Sequence, residues 1–105
     1  MFKINDPLST KVRYRGNEVW LSDVGLGREF SYNGRLYQTS IRPTRYDLVN
    51  PNDRFRFQGR WYLKTGGYLP LEPNLPFGGK GNSESPLINP GDKVELLEVL
   101  DRGAA

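Results

Sequence analysis

The chain has no cysteine and no histidine among its 105 residues. That removes disulfides, thiol nucleophiles, imidazole general bases and nearly every zinc or haem ligand set. Aliphatic and aromatic residues are also scarce, at 36% of the chain, against a usual share of roughly 45–50% that also counts glycine. No segment approaches the roughly 18 consecutive apolar residues of a membrane span. The opening Met1-Phe2-Lys3-Ile4-Asn5-Asp6 has no apolar signal core. The expectations are no secretion signal, a virion or cytoplasmic location, no membrane contact, no metal and no cofactor.

What is present is punctuation and rings. Twelve glycines, eight prolines and 12% aromatics favour short strands between tight turns over helices. Arg28 to Thr39 reads as a hairpin, since Asn33-Gly34 tolerates the positive φ that a type I′ turn requires. This register sets Phe30 opposite Tyr37 and Ser31 opposite Leu36, with Phe30, Tyr32 and Tyr37 on one core face. Asp53 to Lys64 repeats that pattern at an offset of 25, with Phe55, Gly59, Arg60 and Tyr62 in place of Phe30, Gly34, Arg35 and Tyr37. Here Phe55 falls opposite Tyr62, and the other face carries Arg54, Arg56, Trp61 and Leu63. A third hairpin, Val12 to Leu21, turns at Gly16-Asn17 in a type II′ reading that sets Arg13 against Trp20.

A second echo runs at an offset of 39, from Leu48-Val49-Asn50-Pro51-Asn52-Asp53 to Leu87-Ile88-Asn89-Pro90-Gly91-Asp92. Proline at the second position of a turn pre-sets φ before the next strand starts. Residues 93–100 therefore read as a last strand, with a short helix capped by Asp92 as the alternative. Between the second hairpin and that strand, 66–92 is rich in Pro and Gly but studded with Leu69, Leu71, Leu75, Phe77 and Leu87. A flexible linker needs no such anchors, so this stretch reads as an extended arm lying on its own domain or on a neighbour.

The expected fold is all-β: a small antiparallel barrel or two-sheet sandwich of six to seven short strands with a long extended arm. One domain spans 1–105. It comprises a loose segment 1–10, a three-hairpin body 11–65, the arm 66–92, a final strand 93–100 and a loose tail 101–105.

Enzymatic signals are few, because any nucleophile would need a Lys or carboxylate base and the carboxylates are scattered through turns. Gly78-Gly79-Lys80-Gly81-Asn82-Ser83 lacks the glycine spacing and following helix of a phosphate loop. Charge is distributed unevenly: residues 1–65 carry 12 Lys or Arg and 6 Asp or Glu, and residues 66–105 carry 3 and 6. A basic body with an acidic end can attract a polyanion or another copy of itself.

Three non-catalytic functions follow. The leading one is a structural or assembly protein, a virion accessory of the cement, decoration or tail-connector kind. It would dock on other protein subunits or form a homo-oligomer through Leu69, Leu71, Leu75 and Phe77. That assignment rests on an analogy of character with small basic all-β accessory proteins. The alternative is a nucleic-acid-binding barrel using Arg13, Trp20, Arg54, Arg56 and Trp61, where rings stack bases and cations track phosphates. The third is a carbohydrate-binding module using Trp20 or Trp61. Phe30 to Tyr37 resembles the Tyr-Asn-Gly-Lys-x-Tyr hairpin of the small chitin-binding modules of bacterial chitinases over eight residues. The Trp that follows in that family has no counterpart in Gln38 to Ile41.

Overall fold

A computed structural model describes residues 7–81 and 86–105. Part of the expected loose segment (1–6) and part of the expected arm (82–85) lie outside the described residues. The described chain is all-β, with three single-turn 3-10 helices at Pro7–Ser9, Leu21–Asp23 and Tyr46–Leu48. Nine strands form one antiparallel sheet that curls into a half-barrel. They are β1 (Lys11–Tyr14), β2 (Asn17–Trp20), β3 (Glu29–Tyr32), β4 (Arg35–Arg45), β5 (Arg54–Phe57), β6 (Arg60–Lys64), β7 (Tyr68–Glu72), β8 (Gly79–Lys80) and β9 (Lys93–Ala104). Their order across the sheet is β2-β1-β3-β4-β9-β5-β6-β7-β8.

All three hairpins turn on the same device, a residue at φ 51° followed by a glycine at φ 76–80°, namely Arg15-Gly16, Asn33-Gly34 and Gln58-Gly59. Positive φ at both central positions defines the type I′ turn, whose twist matches that of the flanking strands. The registers expected for the turns at Asn33-Gly34 and Gln58-Gly59 follow, with Phe30 opposite Tyr37 and Phe55 opposite Tyr62. The hairpin of Val12 to Leu21 differs from its expected register. Its corner is Arg15-Gly16, so Lys11 and not Arg13 faces Trp20, and Arg13 faces Glu18. Glycine serves this turn at its second position, and Arg15 accepts the left-handed conformation at its first.

β9 is the last element in sequence and the middle of the sheet. It pairs with β4 from Arg35↔Ala104 to Arg45↔Lys93 and with β5 at Leu96 and Glu95. The segment 101–105 is thus part of the ladder and not a loose tail. Arg102 forms a bulge there, with Gly103 at φ 105°, and the Ala105 N–H donates to Gly34 O at 2.9 Å. Pro43 sits within β4 because Thr39 bonds outward to Arg28 and Gly27. Alternation then turns the donor-less nitrogen of Pro43 away from β9.

The sheet is covered on both faces. On one, Val12, Phe30 and Tyr37 pack with Leu21, Val24 and Phe77, supported by Leu97 and Val99. On the other, Phe55, Tyr62 and Val94 pack with Val49 and Ile88, supported by Tyr46, Tyr68 and Leu96. Double coverage explains why the β5–β6 hairpin carries large rings on both sides.

Much of the expected arm belongs to this architecture. β7 extends the sheet beyond β6, and β8 pairs with β7. The strap 73–79 between them is held down by named contacts. Arg54 donates to Pro76 O (3.1 Å) and Gly78 O (2.8 Å), and Asn74 Oδ1 accepts the Trp61 backbone N–H at 2.7 Å. Gly78 approaches so closely that a Cβ would lie 2.5 Å from Glu72 O, which only glycine permits.

Candidate docking surface

The echo between 48–53 and 87–92 proves to be a repeated structure. Asn50 O accepts the Asp53 N–H at 3.1 Å, and Asn89 O accepts the Asp92 N–H at 3.0 Å. Both are β-turns with proline second. Each aspartate returns a bond, Asp53 Oδ2 accepting the Asn50 N–H and Asp92 Oδ2 the Asn89 N–H. Val49 and Ile88 both point into the same core and are 3% and 6% exposed. The segments lie side by side, since the Tyr46 N–H donates to Asp92 O and the Asp47 N–H to Pro90 O, each at 2.9 Å. The fold thus uses the Val/Ile, Asn, Pro and Asp of each copy. It leaves the first residue of each outside, with Leu48 63% and Leu87 80% exposed.

The apolar anchors expected to reach a partner are placed differently. Leu71 is fully buried and Phe77 is 5% exposed inside a core of its own chain. Leu69, opposite Leu63 in the ladder, and Leu75 are half-buried. Leu71 and Phe77 are therefore core residues and not free anchors. The reason is that β7 and the strap have a sheet face of their own to cover.

The five residues of the nucleic-acid reading separate into two groups. Ladder alternation puts Arg13 on the Ser31 side of the sheet, opposite to Phe30. Arg13 and Trp20 are exposed there, and Lys11 Nζ lies 5.0 Å from the Trp20 ring centre. Arg54, Arg56 and Trp61 occupy the other face in the other half of the sheet. Trp61 is 4% exposed, with the Arg56 guanidinium over its ring at 5.9 Å. Arg56 is held bidentately by Glu95 at 2.9 and 3.0 Å. Burial pushes the Arg54 pKa down, yet a guanidinium keeps its charge even so.

The uneven charge along the chain is likewise taken up internally. β9 carries Glu95, Glu98 and Asp101, which pair with Arg56, Arg42 and Arg35. The acidic end thus meets the basic hairpins of its own chain. Hydrogen bonds from Arg56 hold Glu95, and those from Arg35 hold Asp101, below the usual carboxylate range. Such surface pairs add little to stability, but all three are compatible only with the observed register of β9.

Among the described residues no group of three or more Asp or Glu side chains converges as a metal site. Among the described residues no helix is long and apolar enough to cross a membrane. Twin leucines had a sequence signal, the 39-residue echo, but their exposure did not. Comparison with protein-family models, with curated proteins and with solved structures finds no match for this chain.

Proposed function

We propose that the chain is a non-enzymatic assembly module that docks on other protein subunits, as an accessory component of a larger particle of the virion type. The observation that carries this reading is the pair of exposed leucines at equivalent positions of two equivalent turns. Water contact with apolar surface is unfavourable by about 25 cal/mol per Å². Here two otherwise fully satisfied turns each present a leucine that the fold does not bury. Burying both against a partner would give the apolar centre that interfaces surround with a polar rim. Six of the acids are engaged within the fold: Asp53 and Asp92 serve turns, and Asp47, Glu95, Glu98 and Asp101 pair with arginines.

The test is the absolute molar mass in solution, by light scattering across a concentration series, for the parent chain and for Leu48→Ser/Leu87→Ser. A parent that self-associates and a variant that stays monomeric with an unchanged melting temperature is the expected result. Association that is identical in both removes the leucines from the joint and with them this reading.

A further inference from the structure

β2 is an outer edge of the sheet: β1 lies on one side of it and, among the described residues, no strand lies on the other. The hairpin decides which of its backbone groups are left over. A two-residue turn closes on a hydrogen-bonded pair, here Tyr14↔Asn17, and bonded and non-bonded pairs alternate along an antiparallel ladder. Val12↔Val19 is therefore the next bonded pair, while Arg13↔Glu18 and Lys11↔Trp20 are non-bonded. The N–H and C=O of Glu18 and Trp20 thus point away from β1, and among the described residues no other backbone group bonds to them. Between them, Val19 packs against the core of Val12, Phe30 and Tyr37 and is only partly buried there. Trp20, on the opposite face, is 43% exposed. An open strand edge beside an exposed ring is a ready template for another strand.

We infer that this edge pairs with β2 of a second copy, antiparallel about a twofold axis at Val19, so that two half-barrels share one continuous sheet. A twofold axis makes every contact reciprocal, and the chemistry of the edge selects one register. Centred on Val19, Glu18 meets Trp20 of the second copy and Trp20 meets its Glu18, so the outward groups of both residues are paired. A row across the joint then runs Arg13, Glu18, Trp20 of the second copy and Lys11 of the second copy. Each carboxylate stays beside a cation of its own chain and meets a ring that has Lys11 Nζ 5.0 Å from its centre. Centred on Glu18 instead, the two carboxylates would lie directly opposite each other, which is unfavourable. Centred on Trp20, Glu18 would fall opposite Ser22, inside the 3-10 helix Leu21–Asp23 and out of strand geometry. On the other face the Val19 side chains of the two copies would cover each other, completing a burial that each chain leaves partial.

The inference names a second copy as one partner in the assembly proposed above, and it rests on that reading only in requiring that subunits meet. It uses neither of the exposed leucines. An edge of four residues is small beside the roughly 1,200–2,000 Å² of a standard stable interface, so a covalent trap is the fitting probe.

The chain has no cysteine, so an introduced thiol can bridge only to its counterpart in another copy. Non-bonded antiparallel partners lie about 4.5 Å apart at Cα, within the roughly 4.4–6.8 Å that a disulfide spans, so Val19→Cys should bridge to itself across the axis. Asn17→Cys is the control: position 17 is exposed on the same strand, but its counterpart would lie roughly 13 Å away along the paired strands. Under mild oxidation of dilute protein, Val19→Cys should give covalent dimer about tenfold faster than Asn17→Cys, because pairing holds its thiols together. Adding Glu18→Pro, which removes an outward N–H that β1 does not use, should erase that advantage. Equal rates for the two cysteines overturn the inference, and so does an advantage that survives Glu18→Pro. The comparison should be unchanged in the Leu48→Ser/Leu87→Ser background, so loss of the leucine joint in light scattering and loss of the bridge are separate results.

Discussion

Replacing Phe77 by Ala separates a core role for the strap from a docking role. Phe77 is 5% exposed and packs among Val12, Leu21, Val24, Phe30 and Tyr37, residues drawn from β1, β3, β4 and the turn after β2. Truncating a buried phenylalanine removes its transfer free energy and leaves a cavity, together costing about 3–5 kcal/mol. A domain of this size has about 5–15 kcal/mol to lose. Each kcal/mol lowers the melting temperature by about 4–8 °C in a domain of 60–100 residues, so the expected drop is roughly 12–40 °C. Urea unfolding followed by Trp fluorescence is the assay, with the slope m used to check that the unfolded state is unchanged. Leu87→Ser, at 80% exposure, is the control and should stay within about 0.5 kcal/mol of the parent. A loss below about 1 kcal/mol for Phe77→Ala, in the range of surface substitutions, would refute the placement of the strap in the core.

Arg54→Met should destabilise by about 1–3 kcal/mol because it strands the carbonyls of Pro76 and Gly78. A double-mutant cycle with Phe77→Ala should show coupling, and strict additivity would mean that the two do not hold the same strap. Gln58→Asn should stabilise by about 0.5–1 kcal/mol, since Gln58 sits at φ 51°, where asparagine is far better tolerated; an unchanged or lower urea midpoint would contradict the type I′ assignment. The Glu95 carboxyl is held below its ordinary range, chiefly by the Arg56 hydrogen bonds. Its contribution is therefore complete above the usual carboxylate pKa and is lost as pH falls through the depressed folded value. Glu95→Gln should accordingly flatten the acid limb of the stability profile, and an acid limb identical to the parent would count against that pair.

The hairpins were legible in the residues because a type I′ turn is a local contract. Asn33-Gly34 and Gln58-Gly59 set which residues face each other, and with that which rings of each hairpin share a face. Arg15-Gly16 was misread because arginine is an unusual occupant of a left-handed position, and local preference pointed one residue further on. The twin Asn-Pro turns were visible as an echo, since their bonds run within six residues. Alternation alone could not say where the strap's leucines and Phe77 would go, because an arm reads the same whether it covers its own sheet or another's.

What the sequence by itself determined is the all-β character, the pairing inside the hairpins that turn at Asn33-Gly34 and Gln58-Gly59, and the turn before the last strand, all interactions between near neighbours in the chain. The tertiary structure decided the rest through one long-range choice, the insertion of β9 between β4 and β5. The earlier of the two repeated hairpins meets β9 with its second strand and the later one with its first. That order turns one hairpin over relative to the other, and so matching rings, Phe30 with Tyr37 and Phe55 with Tyr62, end in cores on opposite faces of the same sheet. The same insertion pairs the acids of β9 with the arginines of β4 and β5, because residues far apart in sequence can neutralise each other only once the ladder has brought them together.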